Sequence, residues 1–400
     1  MIAYDDFDLR IRADGSGFVV SAGRGSQSAD EPFELDLTLS WDILQIQEHG
    51  PGKAKELGAA LFDALVRGRV RDLYQQARGG AGGDAGKGLR IRILLDSRDK
   101  RLHPLLRLPW ELLSDRSAEA VNLLALDPRR PIVRTIDSIE QARPPAPGPL
   151  RRVLLVLSNP RDSEALDLDS ECARVKEALG RISILPEVLP QATRSSLLDR
   201  ICDGEHQIVH FLGHGTFDSS VGEGMLLLED EHRGRDPLPA STLASFFAGK
   251  RTPRLVVLTS CRSADPGNDP SLGPFASVAA ALVAAGLPAV IAMQTAVEDR
   301  SAIRFTERLY RRIVQDDPIE AAVSEARIAL RAGQADTLDW AVPVLFVRSS
   351  AERTQIQEES AAPALPASPE HRADPASVIV KSRVVKNQYI CPPGWEPRKK

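Results

Sequence analysis

Residues 207–215 read Gln-Ile-Val-His-Phe-Leu-Gly-His-Gly, and this stretch predicts the strand on which both the fold and the site depend. Its run 208–212 is apolar apart from one histidine, which is typical of a strand that is covered on both faces. The apolar run stops at Gly213, His214 and Gly215. Glycines beside a histidine let the backbone turn sharply and leave a main-chain N–H accessible to a ligand. We therefore expect His214 to lie at the end of a buried strand and to face a cleft.

A second apolar strand, with a reactive residue at its end, follows 47 residues later. Residues 254–260 read Arg-Leu-Val-Val-Leu-Thr-Ser, and Cys261 comes next. A histidine about 50 residues before a cysteine also matches the spacing of caspases. Taken alone, Cys261 suits a small buried residue and His214 suits a turn. At the ends of two parallel strands, the two residues together predict a thiol nucleophile with its base.

Strand and helix patterns alternate from Arg152 to Val347, after a proline-rich boundary at residues 143–149. This alternation predicts an α/β fold with a mostly parallel sheet flanked by helices. Ligands of such sheets bind beyond the carboxyl ends of the strands, where His214 and Cys261 are expected. No glycine fingerprint follows the first of these strands, residues 152–157, and this counts against a doubly wound binder of small molecules.

The rest of the chain divides into a smaller N-terminal region and a C-terminal extension. We expect an α+β region at residues 1–148, the α/β core at 149–348, a disordered linker at 349–377 and a short tail at 378–400. Within the N-terminal region, the predicted elements are strands at Phe7–Ile11, Gly17–Ser21 and Phe33–Leu39, a helix at Lys53–Gln76 and a flexible connector at Gly79–Gly88. The tail regains β-branched residues and could add a strand to a sheet edge. A floppy terminus is the alternative.

Composition and charge argue against several classes of function. The 400 residues carry a formal net charge of −4, so no basic excess indicates a nucleic-acid partner. No apolar run is long enough to span a membrane, and the acidic start is unlike a signal peptide. The four cysteines form no C-x-x-C pair, which argues against structural zinc and a disulfide framework. We expect a cytoplasmic protein that needs no metal and no cofactor.

Six blocks are spread over most of residues 90–348. They are Leu108-Pro-Trp-Glu-Leu112, Arg152-Val-Leu-Leu-Val-Leu157, Val209-His-Phe-Leu-Gly-His-Gly215, Leu255-Val-Val-Leu-Thr-Ser-Cys261, Gly286-Leu-Pro-Ala-Val-Ile-Ala-Met-Gln294 and Asp339-Trp-Ala-Val-Pro-Val-Leu345. In this order they resemble the CHAT family, the caspase-like domains named for their association with HetF and tetratricopeptide repeats. The resemblance implies a caspase-like core, with the N-terminal part of the CHAT region beginning at about residue 89. It also implies, usually, a cysteine endopeptidase.

The chemistry of a cysteine peptidase gives these residues roles. Only a thiolate attacks, so His214 would take the proton of Cys261 and later protonate the leaving amine. The N–H groups of Gly215 and Cys261 would bind the oxyanion. The family's commoner residue after the nucleophile is Glu, and here it is Arg262. The resemblance therefore does not define this wall of the substrate pocket. The alternative is a caspase fold that has lost catalysis and serves as an interaction module.

The resemblance also implies partners. The first is a specific protein substrate, and the second is a regulatory or sensor protein that triggers the enzyme, because the family is frequent in bacterial conflict systems. No tetratricopeptide array is present in this sequence.

Further candidates are weaker. The related clan places substrate contacts after the strand that ends at Gln294, which makes Gln294 and Asp299 candidates for substrate binding. Asp299 also suits an acidic residue at a helix N-terminus. His210, inside the strand and on the same face as His214 by strict alternation, is expected to be a hydrogen-bonded core residue. Cys172 and Cys202 lie on helical faces and are expected to be core or edge residues.

Overall fold

The structure is a computed structural model. It describes residues 2–35, 43–48, 50–82, 87–96, 99–106, 108–117, 123–136, 146, 150–203, 206–248, 252–259, 274–295, 297, 299–334 and 336–349. In these ranges no helix is both long enough and apolar enough to cross a membrane.

The described residues form the following strands and helices. The strands are β1 (Ala3–Asp14), β2 (Gly17–Arg24), β3 (Gln27–Phe33), β4 (Lys87–Leu95), β5 (Ile132–Ile136), β6 (Val153–Leu157), β7 (Glu187–Leu189), β8 (Ile208–Leu212), β9 (His214–Asp218), β10 (Glu223–Glu229), β11 (Arg235–Pro239), β12 (Leu255–Thr259), β13 (Ala289–Met293) and β14 (Pro343–Arg348). The helices are α1 (Ile43–Glu48), α2 (Gly50–Leu65), α3 (Gly68–Gly82), α4 (His103–Leu106), α5 (Leu168–Gly180), α6 (Arg194–Asp203), α7 (Ala240–Phe246), α8 (Pro274–Ala284), α9 (Asp299–Val314) and α10 (Ile319–Gly333).

Eleven of the described strands form one sheet, in the order β3-β2-β1-β4-β5-β14-β13-β12-β8-β6-β7. The pairs β1–β2, β2–β3 and β13–β14 are antiparallel, and the other neighbours are parallel. The predicted α/β class with a mostly parallel, helix-flanked sheet is therefore confirmed. A separate sheet of three strands has the order β11-β10-β9.

The change of direction between β13 and β14 decides which strand ends meet. Because β14 runs antiparallel to β13 and parallel to β5 and β4, the carboxyl ends of β8, β12 and β13 share an edge with the amino ends of β14, β5 and β4. We refer to this edge of the large sheet as the site edge.

Alternate residues of the central strands pack on opposite faces of the sheet. On β6, Val153 and Leu155 join a core that includes side chains of α9, while Leu154 and Val156 join a core that includes side chains of α8. All five residues of β6 are buried, as are all five of β8, β12 and β13. Strands covered on both faces in this way have no polar face, which explains their nearly continuous apolar sequences.

Several predicted boundaries in the N-terminal region are wrong. The helix predicted at Lys53–Gln76 is two helices, because the chain breaks at Gly68, whose φ is +48°. A Cβ at this position would meet the Glu31 carboxylate at 2.4 Å, and the Arg69 N–H donates to that carboxylate at 2.8 Å. The third strand is Gln27–Phe33 instead of Phe33–Leu39. The predicted connector begins as the end of α3, and its last two residues belong to β4.

The N-terminal strands are continuous with the core. β5 pairs with β14 through Phe346–Arg134 and its neighbours, so residues on both sides of the predicted boundary at 148 share one sheet. Whether the two parts are separate domains stays a prediction. The linker from residue 350 onwards and the tail at 378–400 lie outside the described residues.

Candidate active site

The two strands that were predicted to carry the reactive residues are neighbours in the sheet. β8 and β12 are parallel and in register, from Ile208 opposite Leu255 to Leu212 opposite Thr259. His214 comes two residues after Leu212, and Cys261 comes two residues after Thr259. Both strands end at the site edge. Cys261 itself lies outside the described residues, as does the whole of 260–273.

His214 is not the end of β8, as was expected, but the start of a new strand. The chain leaves the large sheet after Leu212, bends at Gly213 and enters β9 at His214. The bend requires glycine, because a Cβ on Gly213 would meet the Ser158 carbonyl oxygen at 2.6 Å and the Phe211 ring at 2.9 Å. Strict alternation with His210 therefore ends at this bend, since the two histidines belong to different sheets.

Ser158, directly after β6, connects the end of β8 to the middle of β10 at this bend. Its N–H donates to the Leu212 carbonyl at 3.1 Å, and its hydroxyl donates to the Leu227 carbonyl of β10 at 2.7 Å. Leu227 is in turn paired with His214 across the small sheet. Ser158 is completely buried, so these bonds form away from water and fix where β9 begins relative to β6 and β8.

The imidazole of His214 is held in one orientation. Its Nε2 lies 2.8 Å from the Glu164 carbonyl oxygen, which can only accept, so Nε2 carries the hydrogen. In the neutral ring Nδ1 is then the basic nitrogen, and the described part of the chain offers it no hydrogen-bond partner. The side chain is only 4% exposed, and burial lowers the pKa of His214 below its ordinary value, while the Glu164 carbonyl opposes this shift. The ring is a neutral, oriented proton acceptor.

Gly215, the predicted oxyanion donor, is the second residue of β9. It is buried and lies opposite Leu226 of β10. It therefore sits on a strand, directly after the histidine, and its position is set by the pairing of the small sheet. Its role as a donor to an oxyanion stays a prediction.

His210 is the hydrogen-bonded core residue that the sequence predicted. It is completely buried in β8, with Nε2 3.0 Å from the Thr259 hydroxyl and Nδ1 3.2 Å from the Tyr310 hydroxyl of α9. Burial lowers the pKa of His210 to about 3, so this ring is neutral at physiological pH. It links β8, β12 and α9 and takes no part in the site.

Gln294 belongs to a buried ionic cluster that sequence reasoning missed. Its side-chain oxygen accepts from Arg134 at 2.9 Å, and its NH₂ donates to the Ala341 carbonyl at 3.2 Å and to Glu111 at 3.3 Å. In this arrangement its amide is occupied by protein groups. A substrate contact for Gln294 stays a prediction, and the structure gives it a role in holding the end of β13.

Two arginines and one glutamate form the centre of this cluster. Arg134 of β5 donates to the Glu111 carboxylate through Nε at 3.1 Å and Nη2 at 2.6 Å, and Arg327 of α10 lies 3.9 Å from the same carboxylate. Burial, with the nearby charge of Arg134, lowers the pKa of Arg327 to about 10, which still leaves it protonated at neutral pH. One signal was visible in the sequence: Glu111 and Arg134 are charged residues inside apolar runs.

The remaining candidates are Asp299 and two cysteines that lie on helices. Asp299 is the first residue of α9, as the helix-terminus interpretation expected, and its side chain lies outside what the structure describes. Cys172 is buried on α5, where burial raises the pKa of its thiol, and Cys202 is exposed on α6. These are the core and edge positions that the sequence predicted. Among the described residues, no group of three His, Cys, Asp or Glu side chains is arranged to hold a metal ion.

Comparison with known proteins gives one family and several distant structures. The family model for the CHAT domain matches residues 55–351. Matching solved structures include two of the Saccharomyces cerevisiae separase–securin complex. They have 16% and 14% identity and TM-scores of 0.38 and 0.37, and the match covers 74% and 82% of this chain and 19% and 21% of theirs. The Drosophila initiator caspase Dronc matches with 10% identity and a TM-score of 0.32, over 50% of this chain and 81% of that one.

The chain thus spans about a fifth of the length of the separase chains that it matches. No curated protein gives a significant match to the sequence.

Proposed function

The chain belongs to the CHAT domain family, and on that premise we propose that it is a cysteine endopeptidase that cuts a specific protein partner. The observation that carries the proposal is the state of His214: a buried imidazole with Nε2 bonded to the Glu164 carbonyl and Nδ1 left as a base. His214 comes two residues after Leu212, the last paired residue of β8. Cys261 comes two residues after Thr259, the last paired residue of β12.

In the proposed reaction, Nδ1 of His214 accepts the proton of the Cys261 thiol. The thiolate attacks the carbonyl carbon of the scissile peptide bond and forms a tetrahedral intermediate with a negative oxygen. His214 then gives its proton to the leaving amine, the C–N bond breaks, and an acyl-enzyme remains. Water, deprotonated by the same imidazole, hydrolyses the thioester and restores the thiol.

The oxyanion of the intermediate needs donors that are in place before the reaction. We assign this role to the N–H groups of Gly215 and Cys261. Gly215 supports the assignment because it follows the base directly on β9. It also has no side chain beyond its Cα to obstruct a ligand.

For specificity we propose that Asp299, at the start of α9, pairs with a basic side chain of the substrate. A partly desolvated carboxylate needs a cationic partner, so cleavage is expected after Arg or Lys. Gln294 directly follows β13 and is the second specificity candidate. The biological setting that we propose, a triggered protease of a bacterial defence or signalling system acting in the cytoplasm, rests on the family alone.

The experiment compares the purified full-length chain with Cys261→Ala, His214→Ala and Cys202→Ala. Each protein is incubated with a lysate or with the products of neighbouring genes, and new N-termini are identified by mass spectrometry. Cleavage by the wild type and by Cys202→Ala, with none by the other two variants, is the expected result. Cys202→Ala is the matched control, because it removes an exposed thiol away from the site edge.

Two outcomes reject parts of the proposal. Cleavage that survives in Cys261→Ala or His214→Ala rejects the dyad, and cleavage after Leu, Met or Asp rejects Asp299 as the specificity residue. If a partner is bound by wild type and variants alike and none is cut, the chain is instead an interaction module.

A further inference from the structure

A pocket of ≈ 190 Å³ lies away from His214, in the N-terminal half of the chain. Four cationic side chains line it: Arg78, Lys87, Arg129 and Arg130. Asp127 is the one acidic residue among the described residues that line it. Its volume corresponds to about six water molecules, at roughly 30 Å³ each in the liquid. The pocket is therefore large enough for a compact polyatomic ion.

The floor of the pocket is a turn that packs tightly on β4. The Leu89 N–H donates to the Arg129 carbonyl at 2.7 Å, and Arg129 Nη2 donates back to the Lys87 carbonyl at 3.0 Å. Gly88 makes this approach possible, because a Cβ there would meet the Arg129 carbonyl and the Tyr4 ring at 2.7 Å each. The backbone that carries Lys87 and Arg129 is thus fixed before any ligand arrives.

Two carboxylates, Asp127 in the lining and Asp115 outside it, hold two of the arginines in place. Asp127 accepts from Arg130 Nε at 2.7 Å and from the Arg129 N–H at 2.9 Å. Asp115, whose side chain is only 2% exposed, accepts from Arg78 Nη1 at 2.9 Å. A guanidinium presents its N–H donors in a fixed fork, so these bonds set the orientation of both arginines. The pocket is preorganised for an anion.

We propose that this pocket binds a phosphoanion. Among the described residues that line the pocket, four are cationic and one is acidic, so the lining favours a negatively charged group such as a phosphate. Arginine forks suit the oxygens of phosphate, and the lysine adds a mobile charge. The described lining contains no aromatic ring, so the recognised group is the anion and not a base or another planar ring.

The pocket is independent of the peptidase proposal but lies at the same edge of the sheet. Lys87 and Gly88 begin β4, and residues 127–130 directly precede β5, so the pocket is at the site edge. Five strand spacings separate β4 from β8, or about 24 Å at roughly 4.8 Å each. A bound anion therefore does not contact His214, and the site is a second one.

The test is isothermal titration of the full-length protein with sodium pyrophosphate at low ionic strength. The wild type is expected to show saturable binding that weakens as NaCl is added. Arg129→Gln and Lys87→Gln should each raise Kd about tenfold, because each removes a charge-assisted contact to the anion. Arg12→Gln is the matched control, since it removes the same charge from an exposed side chain near the opposite end of β1, and it should change Kd less than about twofold.

Melting curves of all four proteins accompany the titration. If one lining variant fails to fold, the other still tests the site. Absence of saturable pyrophosphate binding to the wild type overturns the proposal. An increase of Kd in Arg12→Gln as large as that in the lining variants also overturns it. Sodium acetate that binds as tightly as pyrophosphate overturns the assignment of a phosphoanion. None of these results depends on proteolysis, so failure here leaves the peptidase proposal untouched.

Discussion

Replacing Glu111 with Gln should be one of the most destabilising single changes in this chain. Glu111 is 1% exposed, and among the described residues it is the one carboxylate within reach of both Arg134 and Arg327, whose side chains are 5% and 0% exposed. Glutamine keeps the shape but removes the charge, and it can present an N–H₂ to guanidinium donors. Two buried cations would then lie together without the carboxylate that pairs with both of them.

The magnitude follows from the burial of both partners. Removing one member of a buried ion pair costs about 3–5 kcal/mol, because the remaining charge stays desolvated and uncompensated. Arg327 already lacks hydrogen-bond partners for Nε and Nη1 within the described residues, so few other contacts there can compensate its charge. We expect Glu111→Gln to lower the free energy of unfolding by about this amount.

The assay is equilibrium unfolding in urea, followed by the fluorescence of the buried Trp110 and Trp340. Glu56→Gln is the control, because Glu56 is 70% exposed and pairs with Lys53 on the surface of α2 at 3.6 Å. Exposed pairs of this kind contribute under about 1 kcal/mol. A loss in Glu111→Gln no larger than in the control would refute the view that the cluster is a desolvated ionic centre.

Three further predictions concern the bend, the base and the tail. Gly213→Ala should lower the free energy of unfolding by about 1–3 kcal/mol and reduce proteolysis, because the added Cβ would displace the Ser158 carbonyl or the Phe211 ring. In the control Gly17→Ala, the added Cβ meets only an ordinary contact at 3.8 Å. Equal melting temperatures for the two variants would contradict this. Because burial lowers the pKa of His214, the acidic limb of the pH profile of kcat/KM should have its midpoint below pH 6.5. Activity should be present above this midpoint and lost as pH falls through the lowered pKa. A midpoint above pH 7 speaks against His214 as the base. Deleting residues 378–400 should change kinetics or partner binding if the tail adds to a sheet edge, and unchanged values for both would leave the floppy terminus as the better description.

Much of the fold could be predicted, because burial on both faces leaves a direct trace in the sequence. The runs at 153–157, 208–212, 255–259 and 289–293 are almost wholly apolar, and all four are central strands of the sheet. The predicted boundaries of helices and strands were wrong where a single backbone position determines the end of an element. Gly68 interrupts a continuous helical pattern with its positive φ, and the Arg69 N–H beside it donates to Glu31, a residue distant in sequence; no local periodicity carries that information.

The predicted site residues stay a prediction, and the geometry around His214 could not be inferred from the sequence. That His214 opens a second sheet depends on the steric needs of Gly213 against Ser158, which lie 55 residues apart in the chain. The ionic cluster joins Glu111, Arg134, Gln294 and Arg327 from four separate segments. Glu111 and Arg134 could be noticed singly as charged residues in apolar runs, but the pairing within the cluster follows only from the order of the strands.

The central claim is that His214 activates the thiol of Cys261, and the rate of alkylation at Cys261 tests it without any substrate. Wild type and His214→Ala are treated with iodoacetamide at pH 7, and labelling of each cysteine is followed by mass spectrometry. Cys202, exposed, and Cys172, buried with a raised thiol pKa, are internal references. In the wild type Cys261 should react at least about tenfold faster than Cys202, and in His214→Ala this advantage should disappear, because only the thiolate reacts. An equal rate at Cys261 in both proteins would contradict the claim.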